Sequence, residues 1–188
     1  EKMRAQIRGL RQAGRNIEDA NSFIQTTEGY LQESQDTLHR IRELAIQASS
    51  GIYTPADRMQ IQVEVSSLLE EVERVATSAQ FNTMAMLTGR FADPKTGGTP
   101  AGSMWFHIGA NPGQRTRAYI GTMTLDGLNV RGISISSPEQ ANAAIMRIDT
   151  ALDKISKQRA DLGAYQSRFE KAIVGVMTGY ENMQASES

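Results

Sequence analysis

The sequence predicts a mainly α fold: an elongated antiparallel bundle of two long helices and one shorter helix, with a small β-hairpin region in its middle. Three observations carry this. Apolar residues recur every seven positions over nearly fifty residues at each end of the chain, no proline falls within 1–49, and Pro94, Pro100 and Pro112 cluster with most of the glycines in 83–135. With 188 residues there is room for one domain or one rod, and hardly for two full domains. The expected division is 1–82 as N-terminal rod helices (about 1–49 and 55–79), 83–135 as hairpin and loops, and 136–188 as a C-terminal rod helix, all in one domain.

In the first helix, Leu10, Ile17, Ile24, Leu31 and Leu38 stand seven apart, with Ala45 next in phase. The row three positions on is Ala13, Ala20, Thr27, Ser34, Ile41 and Ala48, nearly all small. Large residues alternating with small ones along a stripe let long helices pack closely at a shallow angle. At about 1.5 Å per residue this helix is roughly 70 Å long, more than a compact domain of this size uses. Gly9, Gly14, Gly29 and Gly163 lie in helix interiors, where each costs roughly 1 kcal/mol against Ala. Close approach by another helix would offset that; merely tolerated glycine is the alternative.

Ser49-Ser50-Gly51 stops the first helix, and Thr54-Pro55-Ala56-Asp57 starts the second with a hydroxyl cap, proline at the first helical position and a carboxylate in the first turn. Ile61, Val65, Leu68, Val72, Val75 and Ala79 form its core stripe, spent by Gln80-Phe81-Asn82. The last helix opens at Ser137-Pro138-Glu139-Gln140, with Gln140 placed to complete a capping box. Ile148, Ile155, Leu162, Phe169, Val176 and Met183 then repeat every seven residues, flanked by Ala144, Ala151 and Ala172. Gly175 and Gly179 read as close packing between soluble helices.

Between the rods, 93–102 is an exposed loop by composition and a plausible place for glycosylation. Met104–Ile108 and Arg117–Ile120 read as strands, joined by the turn Asn111-Pro112-Gly113-Gln114. Leu128–Val130 with Ile133–Ile135 suggests one more short strand. Both chain ends read as helix interior without caps, so the chain is expected to be a core fragment cut inside two helices.

Little points to chemistry. Twenty Lys+Arg balance 21 Asp+Glu, which gives no electrostatic argument for nucleic acid or an anionic membrane. No run approaches the roughly 20 apolar residues of a membrane-spanning helix. There are no cysteines, and His39 and His107 are far apart and outside any HExxH pattern, so no metal or cofactor is implied. Glu70 and Glu73 share a helix face rather than flank a cleft, and no phosphate loop or G-x-S-x-G occurs. The expectation is a protein that is not an enzyme.

Ser22-Phe23-Ile24-Gln25-Thr26-Thr27-Glu28-Gly29-Tyr30-Leu31-Gln32-Glu33, Leu38–Gln47 and Gln80-Phe81-Asn82 resemble the N-terminal half of bacterial flagellin; Lys157–Gln166 and Glu181–Ser188 resemble its C-terminal half. Ser103–Asn111 and Tyr119–Thr124 are similar to the spirochaete flagellar filament core proteins, whose filaments turn in the periplasm. The resemblance implies a structural subunit that polymerises into the motility filament, is exported unfolded by the flagellar type III system with its chaperones, and is covered by flagellar sheath proteins. The rod would be the outer-tube domain, and the terminal helices lining the channel would lie outside the chain. By motif, the positions that contact the Toll-like flagellin receptor fall on Arg40, Leu44 and Glu64, which are also candidates for protofilament contacts. Two other readings remain: a hook–filament junction or adaptor protein, and an immune-receptor ligand acting as a monomer.

Overall fold

The computed structural model describes residues 2–93 and 103–187. Two long helices dominate, α1 (Lys2–Ser49) and α4 (Pro138–Glu187), of 48 and 50 residues. They run antiparallel along their whole length: Gly179 faces Leu10 and Gly14 faces Val176 at one end, and Arg42 reaches Asp149 toward the other. The second helix, α2 (Pro55–Ser78), folds back along the C-terminal half of α1. Both sequence rows of α1 face inward, with Ile17, Ile24, Leu31 and Leu38 buried beside Ala13, Ala20, Thr27, Ser34, Ile41 and Ala48. Ile148, Ile155, Leu162, Phe169 and Val176 of α4 meet them. On α2 the expected stripe is buried at Val65, Val72, Val75 and Ala79, while Leu69 rather than the half-buried Leu68 fills the turn between Val65 and Val72, with Ala76 alongside.

The start of α2 has a reciprocal capping box. The Asp57 backbone N–H donates to Thr54 Oγ1 at 3.2 Å, and the Thr54 N–H donates to the Asp57 carboxylate at 2.9 Å. α4 has only half of its expected box. Ser137 Oγ accepts from the Gln140 N–H at 3.2 Å, but the Gln140 side chain instead accepts from the Ser134 hydroxyl. The expected helix-to-helix approach holds for Gly14 and Gly179; Gly9 faces Ala110 of a loop, and Gly29, Gly163 and Gly175 face open space.

The middle of the chain departs most from expectation. After α2 comes a two-residue hairpin, β1 (Gln80–Phe81) with β2 (Met84–Ala85), turned by Asn82 (φ 48°) and Thr83 (φ 65°). Both turn residues are left-handed, as a type I′ hairpin requires. β3 (Met104–His107) and β4 (Arg115–Ala118) pair antiparallel with Trp105 opposite Arg117 and His107 opposite Arg115. The turn between them is as expected, with Gly113 at φ 86° and the Gln114 N–H donating to Asn111 O. β4 starts two residues earlier than the pattern predicts and ends at Ala118, because the next backbone groups have other partners. Gln158 of α4 takes its place: its side-chain oxygen accepts from Gly121 N–H at 2.8 Å and its amide donates to Tyr119 O at 3.1 Å.

No strand forms over 128–130 or 133–135. Leu125–Leu128 is a short helix, α3, capped by Thr124, and Asn129 follows it at φ 60°. The extended stretch beyond is held by Gln62 of α2, whose amide donates to Ile133 O at 3.2 Å and whose oxygen accepts from Ile135 N–H at 2.7 Å. Ile133 and Ile135 are buried, which explains their strand-like pattern, but a side-chain amide stands where a neighbouring strand would be. The 94–102 part of the expected loop lies outside the described residues.

All five phenylalanines gather where α2 ends and the hairpin takes over. Phe23 meets Phe81 and Phe91 edge-on at 5.4 and 6.3 Å and Phe106 at a tilt at 5.8 Å, and Phe106 reaches Phe169 of α4 edge-on at 5.3 Å. Edge-to-face rings of this kind add specific geometry to apolar burial. The hairpin is thereby fastened to both long helices.

Candidate assembly surface

Heptad rows consume the inward faces of the three helices, so function lies on what they leave outside. Arg40 and Glu64 stay there. Arg40 donates through Nε and Nη2 to Glu64 Oε1 at 3.1 and 2.8 Å, and through Nη1 to Glu43 at 3.3 Å. Their side chains are 51% and 47% exposed, so the pair staples α1 to α2 with little net stabilisation. The Glu64 bond, then the Glu43 bond, raises the Arg40 pKa above its ordinary value.

Leu44 does not share that surface. It is 2% exposed and packs in the core, one row inward of Arg40. A step of four residues turns the helix by about 40° beyond a full turn, enough to carry Leu44 from the rim occupied by Arg40 into the buried stripe. Of the three sequence candidates, the structure brings Arg40 and Glu64 together at the surface and places Leu44 beneath them.

Further ion pairs bind the helices on the outside. Arg42 reaches Asp149 at 2.6 Å, and Arg159 joins Gln35 and Glu28, tying α4 to α1 at two levels. Arg131 bridges Asp126 and Glu73, and Glu73 also accepts from the Leu125 N–H, which seats α3 against α2. The Arg131 contact holds the Asp126 carboxyl below its usual range. Periodicity could not reveal Gln62, Glu73 or Gln158 as anchors; polar residues beside a core stripe were their sole signal.

Large apolar side chains also remain outside. Ile52, Met59 and Val63 are 84%, 60% and 71% exposed around the start of α2, with Met59 and Val63 one turn apart. Toward the other end, Val174 and Met177 of α4 are 65% and 55% exposed. His39 and His107 are exposed on separate elements. Among the described residues no group of three or more His, Cys, Asp or Glu side chains could hold a metal ion, and no helix is long and apolar enough to cross a membrane.

Comparison with known proteins agrees with this architecture. The N-terminal helical region of bacterial flagellin matches residues 1–92, and the C-terminal helical region matches 145–188. The chain is 63% identical over 193 residues to the flagellar filament core protein flaB2 of Brachyspira hyodysenteriae, covering 100% of this chain and 68% of that protein. The crystal structure of Bacillus cereus flagellin is similar with a TM-score of 0.72 at 24% identity, over 92% of this chain and 94% of that one. A protein described as flagellar hook-associated, from Vibrio parahaemolyticus, shares the fold with a TM-score of 0.80 at 12% identity, over 98% and 92% of the two chains. The backbone shape is thus common to two kinds of flagellar protein, whereas the full-length identity is to a filament core protein. With paired antiparallel rods matched at both ends by flagellin's helical regions, the chain belongs to the bacterial flagellin family.

Proposed function

We propose that this flagellin, a structural subunit of the flagellar filament, builds the filament by rod-to-rod packing through the exposed apolar residues of α2 and α4, with Arg40 and Glu64 adding polar contacts at the same surface. The observation that carries this is the exposure of Val63 and Val174, at 71% and 65%, toward opposite ends of the rod, each with an exposed methionine nearby, Met59 and Met177. A monomer gains nothing from β-branched apolar side chains in water, whereas a helical lattice can bury both in every subunit. Flagellins are structural proteins, and the mechanism has no chemical step.

In this reading the filament is periplasmic, exported by the flagellar type III system with its chaperones and covered by sheath proteins; the similarity to the Brachyspira flagellar filament core protein supports its flagellar part. Recognition by a Toll-like receptor is a secondary property in this reading and would rest on Arg40 and Glu64, since Leu44 is buried in the folded rod. The test is to prepare Val63→Asp and Val174→Asp with helix content checked by circular dichroism. Each is expected to remain helical and to lose polymerisation. Filaments of normal length from both variants would overturn the assignment of these contacts.

A further inference from the structure

The outward face of the β3–β4 hairpin has a composition that helix packing does not explain. Phe106, Thr116 and Ala118 turn inward, while Trp105, His107, Arg115 and Arg117 point out. The guanidinium carbons of Arg115 and Arg117 each lie 4.1 Å from the centroid of the Trp105 ring, which is 41% exposed. Arg117 also donates to the Tyr119 hydroxyl at 2.8 Å. Among the described residues neither guanidinium is paired with a carboxylate, and the 94–102 sequence between the rods and this hairpin contains no Asp or Glu. Elsewhere on the rod, Arg40, Arg42, Arg74, Arg131 and Arg159 all have acidic partners.

We infer that this face is a docking site for an acidic protein surface, with Arg115 and Arg117 as the groups that receive its carboxylates. Two like charges held against one indole repel each other, and bound carboxylates would relieve that repulsion. Stacking on the ring fixes both side chains beforehand, so binding forfeits less side-chain freedom. Arginine beside tryptophan is also the composition of energetic centres in protein interfaces. The indole is already engaged by guanidinium groups, so sugar stacking is not the mode on offer; guanidinium N–H donors without a carboxylate partner are suited to carboxylates. An anionic membrane or nucleic acid rewards a broad basic excess, and this chain has net charge −1. The inference goes beyond filament formation and does not depend on it.

Trp105 is the single tryptophan of the chain, so its emission reports this face alone. The test titrates the chain with octaglutamate, with octaglutamine as the neutral comparison, and follows that emission. Octaglutamate is expected to change it saturably, with loss of the change at high salt. The Arg115→Gln/Arg117→Gln double variant should bind about tenfold more weakly, while Arg8→Gln/Arg11→Gln, which removes the same charge from α1, should bind as the wild type does. Equal weakening in both double variants would reduce the effect to net charge and overturn the proposal. So would an unchanged emission, an equal or stronger response to phosphatidylglycerol vesicles, or a change produced by protein concentration alone, which would make a second copy the occupant.

Discussion

The guanidinium of Arg58, in the first turn of α2, donates through Nε to the carbonyl of Ala48 in the last turn of α1 at 2.8 Å. A second bond runs from its Nη2 to Ser50 O at 3.0 Å. Arg58 is 7% exposed, a rare burial for arginine, and here it satisfies carbonyls that the end of α1 leaves without helical partners. The positive charge also complements the negative end of that helix. One side chain therefore sets the reversal that lays α2 on α1.

Arg58→Met should destabilise the chain by about 2–3 kcal/mol, since it removes two charge-assisted bonds and leaves the Ala48 carbonyl unpaired, while Ser50 O keeps the Tyr53 N–H. Arg58→Lys should recover only part of this, because an ammonium cannot reproduce the fork. Urea unfolding followed by circular dichroism measures both, and a loss under 0.5 kcal/mol in the Met variant would contradict the capping role.

Gln158→Leu tests the side-chain clamp on the segment after the hairpin. The substitution leaves the Gly121 N–H and Tyr119 carbonyl without their partner, at an expected cost of about 2 kcal/mol. Gln158→Glu keeps the acceptor but not the donor and should fall between. Hydrogen exchange should show the added opening at 119–121 rather than at the centre of α1.

Acid should loosen the start of α2. The Thr54 side-chain and backbone hydrogen bonds hold the Asp57 carboxyl below its ordinary value of 3.8. A carboxyl whose pKa is depressed in the folded state contributes stability above its unfolded value and loses it as pH falls through the folded value. The cap is therefore intact at neutral pH and fails on acidification below the ordinary aspartate range. Asp57→Asn should flatten that part of the acid profile of stability; an unchanged profile would mean that other carboxylates govern it.

Arg40→Ala and Glu64→Ala should each leave monomer stability nearly unchanged, as expected for a solvated ion pair. Their effect is expected on assembly, seen as a higher critical concentration for polymerisation in sedimentation assays. Unaltered critical concentrations in both variants would return the pair to a purely local role.

The three rod helices were legible because seven-residue spacing is a property of the sequence itself: expected spans of 1–49, 55–79 and 136–188 became Lys2–Ser49, Pro55–Ser78 and Pro138–Glu187. The Thr54 cap was legible for the same local reason. What periodicity could not show was who satisfies an isolated extended segment. Ile133 and Ile135 carry a strand-like pattern, yet their backbone partner is Gln62, 71 and 73 residues away in sequence. The β1–β2 turn gave no signal either, since Thr83 is a poor left-handed residue beside the usual Asn-Gly. Leu44, named by motif together with Arg40, lies in the core of the folded rod, and a motif does not show which of its residues stay at the rim.

The most direct measurement is electron microscopy of the full-length protein after seeding under salting-out conditions. The account predicts long, uniform filaments that elongate from the seeds, and their loss in Val63→Asp and Val174→Asp. Short caps confined to the ends of existing filaments, or monomer that persists despite seeds, would contradict rod-to-rod propagation.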